Sequence, residues 1–347
     1  MILSILKESK ADTLGREVEN RVILIPALVS ALKKRCPQAE IWVEANAGIK
    51  IDYKDEDYLK AGAVKIVNHD QALSADLILG VKETKNEDFN KIKGKIFMSY
   101  QHFAESKDRT DQAIKSGAAF ICLETMETER EGRKYFPCLA PMSEAAARVV
   151  ARHADWFALL SRKTIGNLRA TILGAGTVGR CAAKEFSLRG YEVHLIDRVS
   201  LKKLPSSIKG SFFAVSSMYT AGKSPEKLIT RELLATMLPG GCVYPVDIDQ
   251  GGGIEGALQT SILDPFTLPK IGNTDIFCFA PPNLPSLGAR TTSEALGSAV
   301  LPYIIEIINL GLEKAIETNS TIKSGLNISD GKIRHAGLAE VFRSAAQ

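Results

Sequence analysis

Two features of the sequence predict an α/β fold built on parallel strands. Short apolar runs alternate with helical patterns from the first residues onward, and a second unit of the same kind opens near Thr171 on a glycine-rich turn. The runs ILSIL (2–6), EIWVEA (40–45), ADLILGV (75–81), KIFMSY (95–100) and AAFICLE (118–124) read as strands, and PALVSALKKRC (26–36) as an amphipathic helix. The segment 143–160, SEAAARVVARHADWFALL, opens with Ser-Glu and keeps apolar residues at helical spacing, as a hinge helix between two units would. Beyond the second unit a long helix is expected from Ser293 to about Lys314. The tail GLNISDGKIRHAGLAEVF reads as a turn and a short helix, returning to the first unit because chain termini often lie close together.

Length and composition narrow the function classes. A chain of 347 residues suggests two domains, and 45% hydrophobic with 24% charged residues is ordinary globular usage. The net charge of +4 comes from 44 basic and 40 acidic residues without a basic stripe, so no nucleic-acid partner is expected. Cys36, Cys122, Cys138, Cys181, Cys242 and Cys278 are scattered with no C-x-x-C pair. They predict neither a metal site nor a disulfide framework, and fit a reducing compartment. The apolar run in MILSILKESK is too short for a signal-peptide core. The stretch LGSAVLPYIIEIINLGL carries Pro302, Glu306 and Asn309 and reads as a buried helix, not a membrane span. A cytoplasmic protein with no membrane partner is the expectation.

Gly174, Gly176 and Gly179 form G-x-G-x-x-G between the strand ATIL (170–173) and the helix VGRCAAKEFSLRG, and a second strand, EVHLID, ends in Asp197. The first glycine permits a tight turn, the second lets backbone approach a pyrophosphate, and the third allows close helix–strand packing. The helix N-terminus supplies free N–H groups to phosphate. Asp197, 23 residues after Gly174, stands where a carboxylate takes both ribose hydroxyls and repels a 2′-phosphate. NAD is therefore expected over NADP, with Arg198 as the one neighbour that softens the preference.

A hydride-transfer site also needs a cation for a substrate carboxylate and a group that moves protons near neutral pH. His102 follows the strand IFMSY and is either a proton carrier or a structural histidine. The other four, His69, His153, His194 and His335, show no obvious polar company in the sequence. Lys82 follows DLILGV, and its Lys-Glu pair is either a ligand anchor or an ordinary solvated loop. Arg21, in ENRVILIP, is either a bidentate carboxylate clamp or one more surface arginine. Asp247 and Asp249, in VDIDQGGG, are either strand-end acids near a ligand or part of a polar turn. Asn283, in APPNLPSLGARTT, either borders a nicotinamide or is a turn asparagine.

Taken in order, these stretches resemble the alanine dehydrogenase and pyridine nucleotide transhydrogenase family. The resemblance runs from ILKESK through ENRVILIP, DYLKAGAVKI, GVKE, SYQHFA, SGAAFICLET, LAPMSEAAAR, the glycine fingerprint, VDIDQGG and NLPSLGARTTSEAL to GLNISDGKI. It implies two Rossmann-like doubly wound lobes with a cleft between them. The substrate lobe would comprise residues 1–140 with 305–347, and the NAD-binding lobe 141–304. It implies His102 and Asp249 as catalytic residues, with Asp249 rather than Asp247 as the acid of D-Q-G-G. Arg21 and Lys82 would bind the substrate, and Ser143 and Asn283 would lie near the cofactor. A homo-oligomer is implied as well.

The activity that follows from the resemblance is NAD-dependent oxidative deamination of a small L-amino acid, alanine to pyruvate and ammonium, and its reverse. Two departures stand out. The run from Asp197 to Asp249 is shorter than the family's, and the loop SRKTIGNLRA is abbreviated, so adenosine contacts are where this chain would differ. The loop NLPSLGARTTS is similar to that of saccharopine-type dehydrogenases, whose substrate is an adduct of an amino acid and a 2-oxo acid; that is the first alternative. A non-catalytic dinucleotide-binding or transhydrogenase-like module is the second.

Overall fold

The structure, a computed structural model, describes residues 1–10, 17–218, 226–248, 251–264 and 268–344. The chain divides into two compact units. Met1–Pro141 and Ala289–Gln347 form one, and Met142–Gly288 the other. The second crossing falls at Ala289, where the resemblance implies 305, because the whole long helix belongs with the first unit.

The first unit is built on six parallel strands, β1 (Ile2–Ile5), β2 (Glu40–Glu44), β3 (Lys65–Val67), β4 (Leu77–Leu79), β5 (Ile96–Ser99) and β6 (Ala119–Cys122). Their spatial order is β6-β5-β4-β1-β2-β3. Ile78, Phe97 and Phe120 share one hydrophobic cluster, while the alternating residues Leu77, Leu79, Met98 and Ile121 are also buried. Both faces are covered, which is why these strands read as continuous apolar runs. A small hairpin, β7 (Thr128–Arg130) and β8 (Arg133–Tyr135), turns on Glu131 and Gly132, both at positive φ.

The second unit has five parallel strands, β9 (Arg169–Leu173), β10 (Glu192–Ile196), β11 (Phe213–Ser216), β12 (Cys242–Pro245) and β13 (Phe277–Cys278), in the order β10-β9-β11-β12-β13. Phe213 and Val215 of β11 enter one core cluster, and Ala214 between them enters another. Cys242 and Tyr244 of β12 alternate with Val243 in the same way. The sheet is doubly wound, with a core on each face.

The tail holds the expected turn, at Asp330 and Gly331, and the expected short helix, Ala336–Ser344, and adds two strands before that helix. Leu326–Ser329 (β14) and Lys332–Ile333 (β15) form a hairpin, and β14 joins β6 antiparallel at the edge of the first sheet. The turn residues Asp330 and Gly331 have φ of 50° and 67°, and Asp-Gly at such a turn is a strong hairpin signal. The expected single helix to Lys314 is two helices, Ala289–Leu310 and Leu312–Thr318, parted by Gly311 at φ 78°. The first of them packs against helix Pro26–Arg35. A Cβ on Gly297 would stand 2.4 Å from Leu28 Cδ1 and 2.7 Å from the Ile23 carbonyl oxygen.

His69, which shows no polar company in the sequence, is held between two acids. Its Nδ1 lies 3.0 Å from Glu44 Oε1 and its Nε2 3.0 Å from Asp88 Oδ2. These bonds raise its pKa to about 9, Asp88 contributing most. His153 lies 3.0 Å from the Tyr244 hydroxyl and stacks on Phe279, where burial lowers its pKa to about 4.

Two outcomes are expected in urea unfolding. Gly297→Ala, which in an open helix would stabilise by about 1 kcal/mol, instead destabilises by about 1–3 kcal/mol; a gain in midpoint would refute the close packing. His69 binds its proton more tightly folded than unfolded, so its contribution is complete below pH about 6.5 and is lost as pH rises through about 9. His69→Gln removes that loss, and an unchanged slope of stability between those pH values would rule out the clamp.

Candidate active site

Parallel register sets the C-terminal ends of β6, β5, β4 and β1 side by side, and each end continues into a polar residue. Glu8 follows β1, Lys82 and Glu83 follow β4, Gln101 and His102 follow β5, and Glu124 follows β6. Ligand sites in open parallel sheets form at this edge. Arg21 reaches the group from the segment before helix Pro26–Arg35.

Arg21 is 3% exposed and Glu19 fully buried. Arg21 Nε donates to Glu19 Oε1 at 2.8 Å and Nη2 to Oε2 at 2.7 Å, a bidentate pair. Burial alone would raise the Glu19 pKa, but the Arg21 charge and hydrogen bonds hold it at about 2. Burial, with Arg21 and Lys10 nearby, depresses the Lys82 pKa. Glu8 is 8% exposed and accepts from the backbone N–H of Val81 and, at 3.3 Å, of Lys82. Burial and the charge of Glu19 push its pKa up to about 7 against those two amides and Arg21.

His102 Nδ1 lies 3.0 Å from Glu83 Oε1, and Lys10 Nζ donates to both Glu83 oxygens at 3.2 Å. Burial disfavours the imidazolium, yet the bond to Glu83 and the charges of Glu124 and Glu83 outweigh it and raise the His102 pKa. Burial would likewise raise Glu83, but His102, Lys10 and Lys82 bring it well below the usual carboxylate range. An ionised Glu83 accepts from Nδ1–H, which leaves Nε2 as the nitrogen that exchanges protons. His102 holds φ 48°, a conformation that costs a non-glycine residue about 1–2 kcal/mol. Glu124 offsets this by accepting from the His102 N–H at 2.7 Å and the Gln101 N–H at 3.2 Å. The Gln101 side chain is fixed in turn by Thr84 and Ser99.

Glu8, Glu19, Glu83 and Glu124 were not singled out by sequence reasoning. The signal was present for Glu83, the acid of GVKE beside Lys82, and for Glu124, the polar end of the apolar run AAFICLE. The alternative of a solvated Lys-Glu loop does not hold, because the Glu83 side chain is only 13% exposed.

In the second unit Gly174 has φ 103°, and its added Cβ would stand 2.8 Å from the Ser217 carbonyl oxygen. A Cβ on Gly179 would meet the Gly174 carbonyl oxygen at 1.7 Å, so strand and helix touch there. A Cβ on Gly176 meets nothing within 4 Å. Gly176 is also the N-cap of helix Thr177–Leu188 and gives it no side-chain cap, so the first N–H groups face that open space. At the end of β10, Asp197 accepts from the Ser200 N–H at 2.8 Å and hydroxyl at 2.6 Å, bonds that lower its pKa. This loop fits a dinucleotide: an open glycine, an uncapped helix end for phosphate and an ionised acid at the neighbouring strand end.

Asp249 lies outside the described residues. Asp247 is buried, and its Oδ2 accepts from Ser216 Oγ at 2.6 Å and the Met218 N–H at 3.0 Å. It ties the end of β12 to the end of β11. Ser143 is buried in the first turns of helix Ala140–Leu160, and Asn283 takes φ 56° in the turn before Ser286.

If Glu83 sets the basicity of His102, Glu83→Gln lowers the His102 pKa below its wild-type value, read from the imidazole resonances in an NMR titration. An unchanged midpoint would show that the contact carries no proton coupling.

Comparison with known proteins identifies the family. The models of the alanine dehydrogenase/PNT N-terminal and C-terminal domains match residues 5–146 and 198–336, and the glycine fingerprint lies between the two spans. The alanine dehydrogenase of Mycolicibacterium smegmatis is 30% identical, over 95% of this chain and 96% of its own. That of Bacillus subtilis is 30% identical over 98% and 94%. A solved L-alanine dehydrogenase superposes with a TM-score of 0.85 at 25% identity, covering 99% of both chains. A transhydrogenase from Sinorhizobium meliloti shares the fold, with a TM-score of 0.78 at 19% identity over 97% of this chain and 99% of its own. With both of its domains matched and a relative at that identity along almost its whole length, the chain belongs to the alanine dehydrogenase/PNT family.

Proposed function

We propose that this protein is an NAD-dependent amino-acid dehydrogenase that converts L-alanine to pyruvate and ammonium, and runs the reverse. The observation that carries the reading is the Glu83–His102 pair at adjacent strand ends, set with Lys82 and with the buried Arg21–Glu19 pair from the segment before helix Pro26–Arg35. It stands in a chain whose relatives are alanine dehydrogenases. NAD, preferred over NADP, supplies the hydride acceptor when bound. Gly176 and the N-terminus of helix Thr177–Leu188 receive its pyrophosphate in a turn shaped by Gly174 and Gly179, Asp197 takes its ribose, and Ser143 and Asn283 flank it.

Arg21 and Lys82 fix the substrate carboxylate, and Lys82 also polarises the carbonyl of pyruvate. His102, with Glu83 on Nδ1, moves protons through Nε2 to and from the substrate oxygen or attacking water. Asp249 orients water or ammonia and balances the positive charge of the imine. Glu124 keeps His102 in its left-handed conformation, so removing it misplaces the base without touching substrate.

A reducing, cytoplasmic compartment is the reading that the six free cysteines, five of them buried, support. A homo-oligomer is supported by Trp156, Leu159 and Leu160, which leave apolar surface on helix Ala140–Leu160.

The test is NADH absorbance with alanine and NAD, and in reverse with pyruvate, NADH and ammonium. Turnover is expected in both directions. His102→Asn lowers kcat about 10²–10⁴-fold, and Lys82→Met raises the KM for pyruvate roughly tenfold or more. Wild-type turnover in both variants would overturn the site. Activity only when lysine or another larger amine replaces ammonium would move the assignment to the saccharopine type.

A further inference from the structure

We infer that Glu8 is a proton-accepting positioning residue of the carboxylate site: a carboxylate ligand seated at Arg21 and Lys82 draws one proton from solvent onto Glu8. The inference rests on the proposed role of Arg21 and Lys82. It starts from an imbalance among three acids, Glu8 and Glu19 buried and Glu83 half-buried. Glu19 is paired with Arg21 at 2.7 Å, and Glu83 with Lys10 at 3.2 Å and His102 at 3.0 Å. Glu8 has no cation within ion-pair distance among the described residues. Its partners are the Val81 and Lys82 amides.

The groups that face Glu8 come from four elements. Glu19 and Arg21 lie on the segment before helix Pro26–Arg35. The Lys82 backbone holds it from the end of β4. Lys50 donates to the Glu8 carbonyl oxygen at 3.2 Å and to that of Glu19 at 2.9 Å. Ser99 of β5 closes the cluster from beside Gly80, whose added Cβ would stand 3.4 Å from Glu8 Oε1 and 3.7 Å from Ser99 Cβ.

A ligand carboxylate adds one negative charge to this buried group and removes water from it. Like charges in a desolvated site cannot all stay ionised, and the acid without a cation is the one that protonates. Glu8 already sits near neutrality, at about 7, so little further repulsion is needed. The balance is simple: ligand carboxylate, ionised Glu8 and one solvent proton give the complex with neutral Glu8. Neutral Glu8 can still accept from one amide with its carbonyl oxygen, so the Lys82 backbone keeps its place. The site thereby presents Arg21 and Lys82 as net positive charge only while a proton is available.

The experiment is calorimetric titration of pyruvate into the protein saturated with NADH, without ammonium, in buffers of different ionisation enthalpy at pH 8. His102 and Lys82 also titrate in this cluster, so the quantity read is the difference in proton uptake between wild type and Glu8→Gln. Wild type is expected to take up a larger fraction of a proton per pyruvate. Its Kd rises with pH by up to about tenfold per unit above neutrality, and Glu8→Gln flattens that rise. Should the variant fail to fold, wild type alone decides by infrared difference spectroscopy: pyruvate must add a protonated-carboxyl C=O band beyond the ligand's own. Equal proton uptake in both proteins, or no such band, overturns the inference. Lys82→Met separates the two readings. If it binds pyruvate as wild type does, the site assignment itself has failed; if binding is lost in it while the Glu8 difference is zero, only the proton coupling has failed.

Discussion

Parallel strand register is the constraint on which both units depend. A parallel sheet brings every strand's C-terminal end to one edge, and the chain must leave that edge through a loop before crossing back. In the first unit the loops after β1, β4, β5 and β6 carry Glu8, Lys82, Glu83, His102 and Glu124. Residues 8 and 124 are far apart in the chain, yet each stands two or three positions beyond its strand. In the second unit the same rule sets Gly174, Asp197, Ser217 and Asp247 at the ends of β9, β10, β11 and β12. The apolar strands supply the burial, and the strand ends carry the ionisable groups.

Burial makes the charges informative. A carboxylate or ammonium removed from water must be paired, hydrogen-bonded or neutral. Each member of the first-unit cluster takes one of these routes: Glu19 pairs with Arg21, Glu83 is shared by Lys10 and His102, Glu124 accepts backbone N–H groups, and Glu8 moves toward neutrality. A single-residue view of Lys82 or His102 therefore misses what sets its protonation. The depressed Lys82 and the elevated His102 are properties of the group. The clamped His69 behaves likewise, and its partner Glu44 also accepts from the Lys7 amide, one residue before Glu8.

Much of this was legible in the sequence, for identifiable reasons. Strands buried along most of their length are near-continuous apolar runs, so β1, β4, β5, β6 and β9 announce themselves, while β2 shows by the alternation of buried Ile41 and Val43 with half-buried neighbours. The glycine fingerprint is legible because Gly174 and Gly179 are demanded by backbone geometry, φ 103° at one and a 1.7 Å approach at the other. Strand β3 is three residues long, with Lys65 exposed, and leaves no apolar run. The β14–β15 hairpin was hidden for a different reason. Its Asp-Gly turn was visible, but β14 and β15 are four and two residues long, too short to show alternation. Glu19 and Glu8 were illegible because acids near an N-terminus are usually solvated; only the fold reveals that Arg21 and the strand ends bury them.

The two acids of VDIDQGGG show how a motif and a fold divide the work. The resemblance points to Asp249 for chemistry. Asp247, two residues earlier, is a buried acid whose Oδ2 binds Ser216 and the Met218 amide across the β11–β12 boundary. A Cβ on Gly253 would strike Met218 and Ser216 at 2.5 Å, and the Gly252 N–H donates to the Asp247 carbonyl oxygen. The last two glycines of the motif therefore lie beside Asp247, and Gly253 stands tight against Met218 and Ser216. Asp247 anchors the end of β12 to that of β11, and the Gly252 amide folds back upon it. The acid that the fold explains and the acid to which the resemblance points are different residues, two positions apart in the sequence.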